Sequence, residues 1–418
     1  MKVIAGFFLS ALFVLSSPIY TSGQLSRINP QKFAAIKEVV DEIKKDSVES
    51  IIRHLENFGS RFLNNPNRLQ LANWIKNKFI SYGYDDVTID TVECNFSFGN
   101  IGRIKQYNVI AKLTGTSRPN DYYITCGHYD SFTFEMETNP LGAGPGADDN
   151  ASGTAAVLES ARVIKLKNYQ PASSILFIAF AAEELMYFGN SGAETYAART
   201  RSSNMNIKLL INNDMIANSL SPADQSKVFI YYYQNSSAAA EAAKNATTAY
   251  SVVAPVLNSS TPNADQYPFF QAGYPAIFFM EKDFSYNYHT GFDLSYNLNM
   301  EYCKEVIKAS CASLLSYQET TTSIEHGEKI PTGFVLCQNY PNPFNPITTI
   351  KYSKPETQFV SLKVFDMLGR EIETLVNEEK SPGNYQIQFN GSNLSSGTYI
   401  YRLAAGNFNT TKKFTLLK

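Results

Sequence analysis

Eight consecutive apolar residues, Ile175 to Ala182, fill the segment 174–182 and are followed at once by two glutamates, Glu183 and Glu184. A run this short and without polar alternation reads as a strand covered on both faces. Such a strand needs a sheet with helices on each side, and the flanking sequence supplies both. Residues 87–92, 107–113, 122–126, 207–212, 227–233 and 276–280 carry the patterns of strands. Residues 31–57 read as one or two helices, and 67–82, 151–166, 191–199, 238–247 and 300–317 as one each. In the clearest of these, Leu71, Trp74, Ile75 and Phe79 share one face. Strands separated by crossover helices imply an α/β fold with a mainly parallel, mixed sheet and helices on both faces.

The chain has 418 residues, more than one ordinary domain, and its character changes near Thr320. Residues 321–333 are polar, contain Gly327, Pro331 and Gly333, and read as a linker. From 334 to 418 the helical period is gone, and short alternating stretches (360–365, 385–389, 399–403, 409–417) predict a small all-β sandwich. At the other end, Lys2, an apolar run over 3–15 and the small or polar residues Ser16, Ser17, Thr21, Ser22 and Gly23 form a secretory signal peptide, 1–23. That leaves 24–320 as the main, α/β domain. The apolar run is shorter than the ~20 residues a membrane-spanning helix needs, so no transmembrane segment is expected in the mature chain. A net charge of −2 without a dense Lys/Arg cluster argues against nucleic-acid binding. Five cysteines, an odd number without metal-type spacing, are expected to be buried free thiols.

In open parallel sheets, ligands bind beyond the carboxyl ends of the strands. The strand 122–126 leads into Gly127-His128-Tyr129-Asp130, 174–182 into Glu183-Glu184, and 207–212 into Asn213-Asp214. The strand 276–280 leads through a loop to His289, and Gly146-Ala147-Asp148-Asp149-Asn150 opens a helix. Two imidazoles and three carboxylates on one edge suit Zn²⁺, and hold two such ions if one carboxylate bridges. Glu183, beside a ligand, is free to take a proton from a metal-bound water.

These segments, in order, resemble peptidase family twenty-eight of the metallopeptidases, whose best-known members are bacterial leucyl aminopeptidases. The match rests on Gly127-His128-Tyr129-Asp130, the stretch from Pro145 through Asp149-Asn150 to Gly153, Ala181-Ala182-Glu183-Glu184, Asn213-Asp214-Met215 and His289-Thr290, and covers about 50–317. The resemblance implies a zinc exopeptidase fold. It places one zinc on His128 and Asp214, a second on Glu184 and His289, and Asp149, rather than its neighbour Asp148, between them. Glu183 would be general base and then acid, and Asp130 would fix the His128 tautomer. A cis Asp149–Asn150 peptide is also implied. Met215, Phe278, Met280, Phe284 and Tyr286 would line an apolar pocket for the first side chain of a peptide or protein substrate. Asp265 and Asp293 read as loop caps with no metal role.

No Arg or Lys lies inside the motifs, which favours an aminopeptidase over a carboxypeptidase, although Arg103, Arg199 or Lys282 could reach in. A carboxypeptidase, a glutaminyl cyclase or a non-catalytic receptor-like relative on the same fold are the alternatives. The tail, with Asn339-Tyr340-Pro341-Asn342-Pro343-Phe344-Asn345-Pro346, Leu368-Gly369-Arg370-Glu371 and a terminal Lys412-Lys413-Phe414-Thr415-Leu416-Leu417-Lys418, resembles the C-terminal sorting domain of the type IX secretion system. That implies the outer-membrane secretion machinery as a partner and an extracellular or cell-surface location.

Overall fold

The structure, a computed structural model, describes residues 30–97, 101–134, 144–219, 226–259, 264–282, 285–325, 333–339, 341–380 and 383–417. The expected signal peptide and Phe284 lie outside the described residues. Two compact units divide the chain, 1–320 and 321–418.

The first unit opens with α1 (Pro30–Val40), α2 (Lys45–Glu56) and α3 (Arg68–Ser81). There follow β1 (Asp86–Phe96), β2 (Gly102–Leu113), β3 (Arg118–His128), α4 (Gly153–Leu166), β4 (Ser173–Phe180), α5 (Gly192–Ser202) and β5 (Asn206–Asn213). The unit continues through β6 (Lys227–Tyr232), α6 (Ser237–Tyr250), β7 (Ala254–Asn258), α7 (Gln266–Gln271), β8 (Ala276–Met280) and α8 (Met300–Glu325). Its eight strands form one sheet in the order β1-β2-β4-β3-β5-β8-β6-β7. The central strands β4, β3, β5 and β8 are mutually parallel, whereas β1, β2 and β6 pair antiparallel with their inner neighbours.

The apolar run fills β4 from Ile175 onward and continues two residues past it, and all eight residues of the strand are buried. Its period of two sends Ile175, Phe177 and Ala179 into a core shared with α1–α4, α6 and α8. Leu176, Ile178 and Phe180 point the other way, onto Ala193 and Ala197 of α5 and Phe269 of α7. Removing both faces of one strand from water, at about 25 cal/mol per Å² of apolar surface, is what binds the two helical layers to the sheet.

The last helix departs from expectation. It runs past Tyr317 to Glu325, into the expected linker, because polarity does not break a helix and neither Gly nor Pro occurs before Gly327.

The second unit holds β9 (Val335–Leu336), β10 (Ile347–Lys354), β11 (Gln358–Phe365), β12 (Glu371–Lys380), β13 (Gly383–Asn390), β14 (Gly397–Ala405) and β15 (Phe408–Leu416). They form two antiparallel sheets, β13-β10-β9 and β12-β11-β14-β15. Ile350, Tyr352 and Phe389 of one sheet share a core with Val360, Leu362, Tyr401 and Phe414 of the other. Three of these strands are not evident in the sequence: β9 is only two residues long. β10 fills two inward positions with Thr348 and Lys354, and β12 is a charged, largely exposed edge strand. All five cysteines are free; four are buried as expected, but Cys337 is exposed.

Close packing of α4 on the sheet positions everything that follows. A Cβ added at Gly153, the first residue of α4, would lie inside contact distance of the Asn213 carbonyl oxygen and the Asn150 side chain. Gly153→Ala should therefore push α4 off β5 and destabilise the chain by about 1–3 kcal/mol. Denaturant unfolding measures this, and a change below a few tenths would contradict the packing.

Candidate metal centre

Parallel pairing brings the carboxyl ends of β4, β3 and β5 to one edge of the sheet. His128 is the last residue of β3, Glu183 and Glu184 lie three and four residues beyond Phe180 of β4, and Asp214 directly follows β5. Chain direction turns sharply at each point. Ala182, Met215 and His289 have φ of 61°, 47° and 54°, and Gly146 before the aspartates has 51°. The only other non-glycine residues with positive φ among the described residues are Asn168 and Asn204, of a type that tolerates this region. Three other residues held there, each next to or at a site residue, mark a backbone fixed by its surroundings for a purpose other than stability. The Asp149–Asn150 peptide is cis.

The side chains converge into two groups that share Asp149. His128 Nε2 lies 3.3 Å from Asp149 Oδ1 and 3.4 Å from Asp214 Oδ1. His289 Nε2 lies 2.9 Å from Glu184 Oε2 and 3.1 Å from Asp149 Oδ2. Within each triad, one atom per residue lies within 4.8 Å of the others. Asp148 joins neither triad among the described residues; its Oδ1 accepts the Ala217 N–H at 3.0 Å instead.

His128 Nε2, Asp214 Oδ1, Glu184 Oε1 and His289 Nε2 are buried without a hydrogen-bond partner. Polar atoms buried in this way are costly unless something compensates them. A cation in each triad would do so, and nitrogen with carboxylate oxygen is the donor set Zn²⁺ takes. Glu183 stands apart, with Oε2 3.8 Å from His128 Nε2 and membership of neither triad.

Neighbouring residues hold the donors in place. Asp130 accepts the backbone N–H groups of Glu183 at 3.1 Å and Glu184 at 3.2 Å, and its Oδ1 lies 3.4 Å from His128 Nδ1. One carboxylate thus links the end of β3 to the turn after β4. Asp293 accepts the N–H groups of Asp148 at 2.9 Å and Asp149 at 3.0 Å, the cap expected of it.

Arg61 was not singled out by sequence reasoning. Fully buried, it donates from Nε to Tyr129 O at 2.8 Å, from Nη2 to Gly146 O at 2.7 Å, and from Nη1 to Leu55 O at 3.2 Å and to Pro145 O. It ties the end of α2 and the end of β3 to the loop carrying Asp149. Burial pulls its guanidinium down to about 10, still charged, with Asp293, Asp130, Glu184 and Asp149 opposing the fall. Nothing local distinguishes it from a solvated loop arginine.

The ring of Tyr288, also unforeseen, stacks on that of His289 with centroids 3.7 Å apart. Phe132 and Phe134 approach the same imidazole edge-on.

Met215, Phe278 and Met280 form a buried cluster with Ala264, against which Tyr231 and Tyr288 pack. Tyr286 is 89% exposed and stands outside that cluster. Two residues before the half-buried Tyr288, on a turn rather than a strand, no period carries it inward.

The acids and imidazoles shift one another. Burial alone would raise the Asp149 carboxyl, but the flanking His128 and His289 hold it below the ordinary range. Burial, followed by the charge of Asp149, pushes Glu184 up to about 7. Burial opposes the charge on His289, yet Glu184 and Asp149 raise it to about 10. A metal entering must displace these protons, so affinity should weaken as pH falls from 8 to 6, by about tenfold per pH unit for each proton released. Chelator-competition titrations at the two pH values test this; equal affinities would contradict it.

Residues 108–314 match the profile of peptidase family M28, and residues 338–416 that of the secretion system C-terminal sorting domain. A protein of Pyrenophora teres f. teres described as "Probable zinc metalloprotease" is 36% identical over 201 residues. That match covers 44% of this chain and 41% of the relative, so the chain spans less than half the length of that curated relative. Among solved structures, the Legionella pneumophila LapA aminopeptidase superposes with a TM-score of 0.57 at 19% identity, over 70% of this chain and 76% of that one. The Bacteroides thetaiotaomicron glutaminyl cyclase superposes with a TM-score of 0.53 at 18% identity, over 66% and 98%. At these identities the structural likeness establishes the fold. Four of the five metal-triad residues end or follow strands of the matched segment and the fifth lies just before its first helix, so the site falls inside a peptidase M28 domain at residues 108–314, and a secretion system C-terminal sorting domain follows at 338–416.

Proposed function

We propose that this chain is an exported aminopeptidase that holds two zinc ions and removes N-terminal residues, preferably apolar ones, from peptides and proteins. The observation that carries the reading is the position of Asp149, whose two oxygens face two separate histidine-carboxylate triads. His128, Asp214 and Asp149 would hold one zinc, and Glu184, His289 and Asp149 the other. Paired zinc ions supply an acidified water and a Lewis acid for the scissile carbonyl.

The remaining steps belong to the chain's own groups. Burial, aided by Asp214, Asp265 and Glu184 and opposed by His128, places the Glu183 carboxyl well above the ordinary range. A carboxylate so poised takes a proton from the attacking water and returns it to the leaving amine. Asp130 keeps the His128 ring and the Glu183-Glu184 turn in register.

Two features favour a substrate with a free amine over one with a free carboxylate. Arg103 pairs with Glu93 and Arg199 with Asp90, and Arg61 spends its donors on backbone carbonyls. The Met215, Phe278 and Met280 cluster supports an apolar first side chain. The sorting domain supports export through the type IX machinery of the outer membrane, to the medium or the cell surface. Among the described residues no helix is long and apolar enough to cross a membrane.

A panel of aminoacyl-anilides, assayed with and without chelator, tests the reading. Cleavage of leucyl- or phenylalanyl-anilide that chelator abolishes is expected. Cleavage of amine-blocked peptides alone would mean a carboxypeptidase, cyclisation of N-terminal glutamine a cyclase, and fewer than one bound zinc without turnover a receptor-like protein. Glu183→Gln should retain zinc and lose about 10²–10⁴-fold in kcat; full activity would remove Glu183 from this role.

A further inference from the structure

Asp265 is a buried carboxylate that the roles above leave unused. It stands immediately before α7, where sequence reasoning took it for a loop cap. It caps nothing, for α7 has no side-chain cap hydrogen bond, and neither carboxylate oxygen has a hydrogen-bond partner although the residue is 1% exposed.

Its neighbours place it beside Asp214. Ala264 packs in the cluster with Met215, the residue after Asp214. Gln266 accepts a hydrogen bond from Asn212 Nδ2 at 2.9 Å, two residues before Asp214. Asp265 is therefore bracketed by contacts on either side of a metal-triad residue. It joins neither triad within 4.8 Å among the described residues, so it is near the centre without being one of its metal donors. Burial, ahead of any neighbour, pushes its carboxyl up to about 8; His128 opposes this, while Asp214, Asp130 and Glu184 add to it.

A carboxyl kept dry with no donor carries its charge only at high cost unless a positive group comes to it. The adjoining residues narrow what that group is. Met215, Phe278 and Met280, proposed above to receive the first side chain, form a buried apolar cluster with Ala264, the residue before Asp265. The N-terminal residue of a peptide carries an apolar side chain and an ammonium on the same Cα, and so matches an apolar cluster with a neighbouring anion.

We propose that Asp265 is the anchor for the α-ammonium group of the substrate, and so selects peptides with an unmodified N-terminus. This rests on the aminopeptidase reading and assigns one residue to recognition of the free amine. A charge-assisted hydrogen bond of this kind rejects an isostere lacking the charge, because the buried carboxylate is then left unpaired.

The test uses the zinc-loaded full chain and its Asp265→Asn variant, which keeps the size of the side chain. Binding of 3-methylbutylamine and 3-methylbutan-1-ol is measured by calorimetry, together with KM and kcat for leucyl-anilide and zinc content. The unsubstituted chain should bind the amine at least about tenfold more tightly than the alcohol. Asp265→Asn should erase that preference and raise KM by a similar factor. Zinc content and affinity for the alcohol should stay within twofold. Equal binding of amine and alcohol by the unsubstituted chain, or a preference that survives in Asp265→Asn, would overturn the proposal, as would loss of zinc in the variant. A chain that prefers the amine through Asp265 yet cleaves no free-amine substrate would instead sink the aminopeptidase reading while leaving the anchor in place.

Discussion

A single carboxylate, Asp149, lies between two imidazoles, and the rest of the centre is organised around keeping it there. Its oxygens face His128 Nε2 at 3.3 Å and His289 Nε2 at 3.1 Å. No surface salt bridge holds it. The backbone does so, through Asp293 on the N–H groups and Arg61 on the carbonyls of the preceding loop. The packing of Gly153 against Asn213 fixes the helix that follows. Many acids are gathered in one dry place: Asp130, Asp148, Asp149, Asp214, Asp265, Asp293 and Glu281 are all buried. Mutual repulsion on this scale is tolerable only with compensating positive charge. Arg61 is the permanent part of it, and divalent cations in the two triads would be the larger part.

The fold makes that concentration of charge possible. Parallel strands deliver their ends to one edge, where unpaired backbone groups and turns can aim side chains inward while the apolar strands beneath supply rigidity. β4 illustrates the division of labour. Its eight buried residues bind two helical layers to the sheet, and the very next turn, with Ala182 at positive φ, presents Glu183 and Glu184. Burial energy from one element thus sustains local strain in the next.

What the sequence revealed and what it hid follow from this arrangement. His128, Glu184, Asp214 and His289 were legible because they follow strands with clear apolar patterns, and Asp149 because it sits in a glycine-rich helix start. The alternation of elements predicted the α/β sheet, and the change in composition predicted the β-sandwich. Arg61 was illegible because its partners are carbonyl oxygens, which every residue carries and no pattern marks. Asp265 was misread because an aspartate before a helix is so often a cap; only its three-dimensional surroundings show that it bonds to nothing. Tyr288 was missed because nearness in sequence to His289 says little about direction on a turn: it stacks on that imidazole, while Tyr286, two residues before it, is exposed. The polar end of α8 and the charged edge strand β12 were missed because apolar periodicity carries no signal in a stretch of mostly polar residues.

The central claim is that Asp149 bridges two metal ions. X-ray absorption at the zinc edge on the fully loaded protein addresses it most directly. A bridging carboxylate predicts a metal–metal scattering shell at about 3.5–4 Å, lost when Asp149 is replaced by Ala. A spectrum of light-atom neighbours alone at full loading, unchanged by that replacement, would contradict the account.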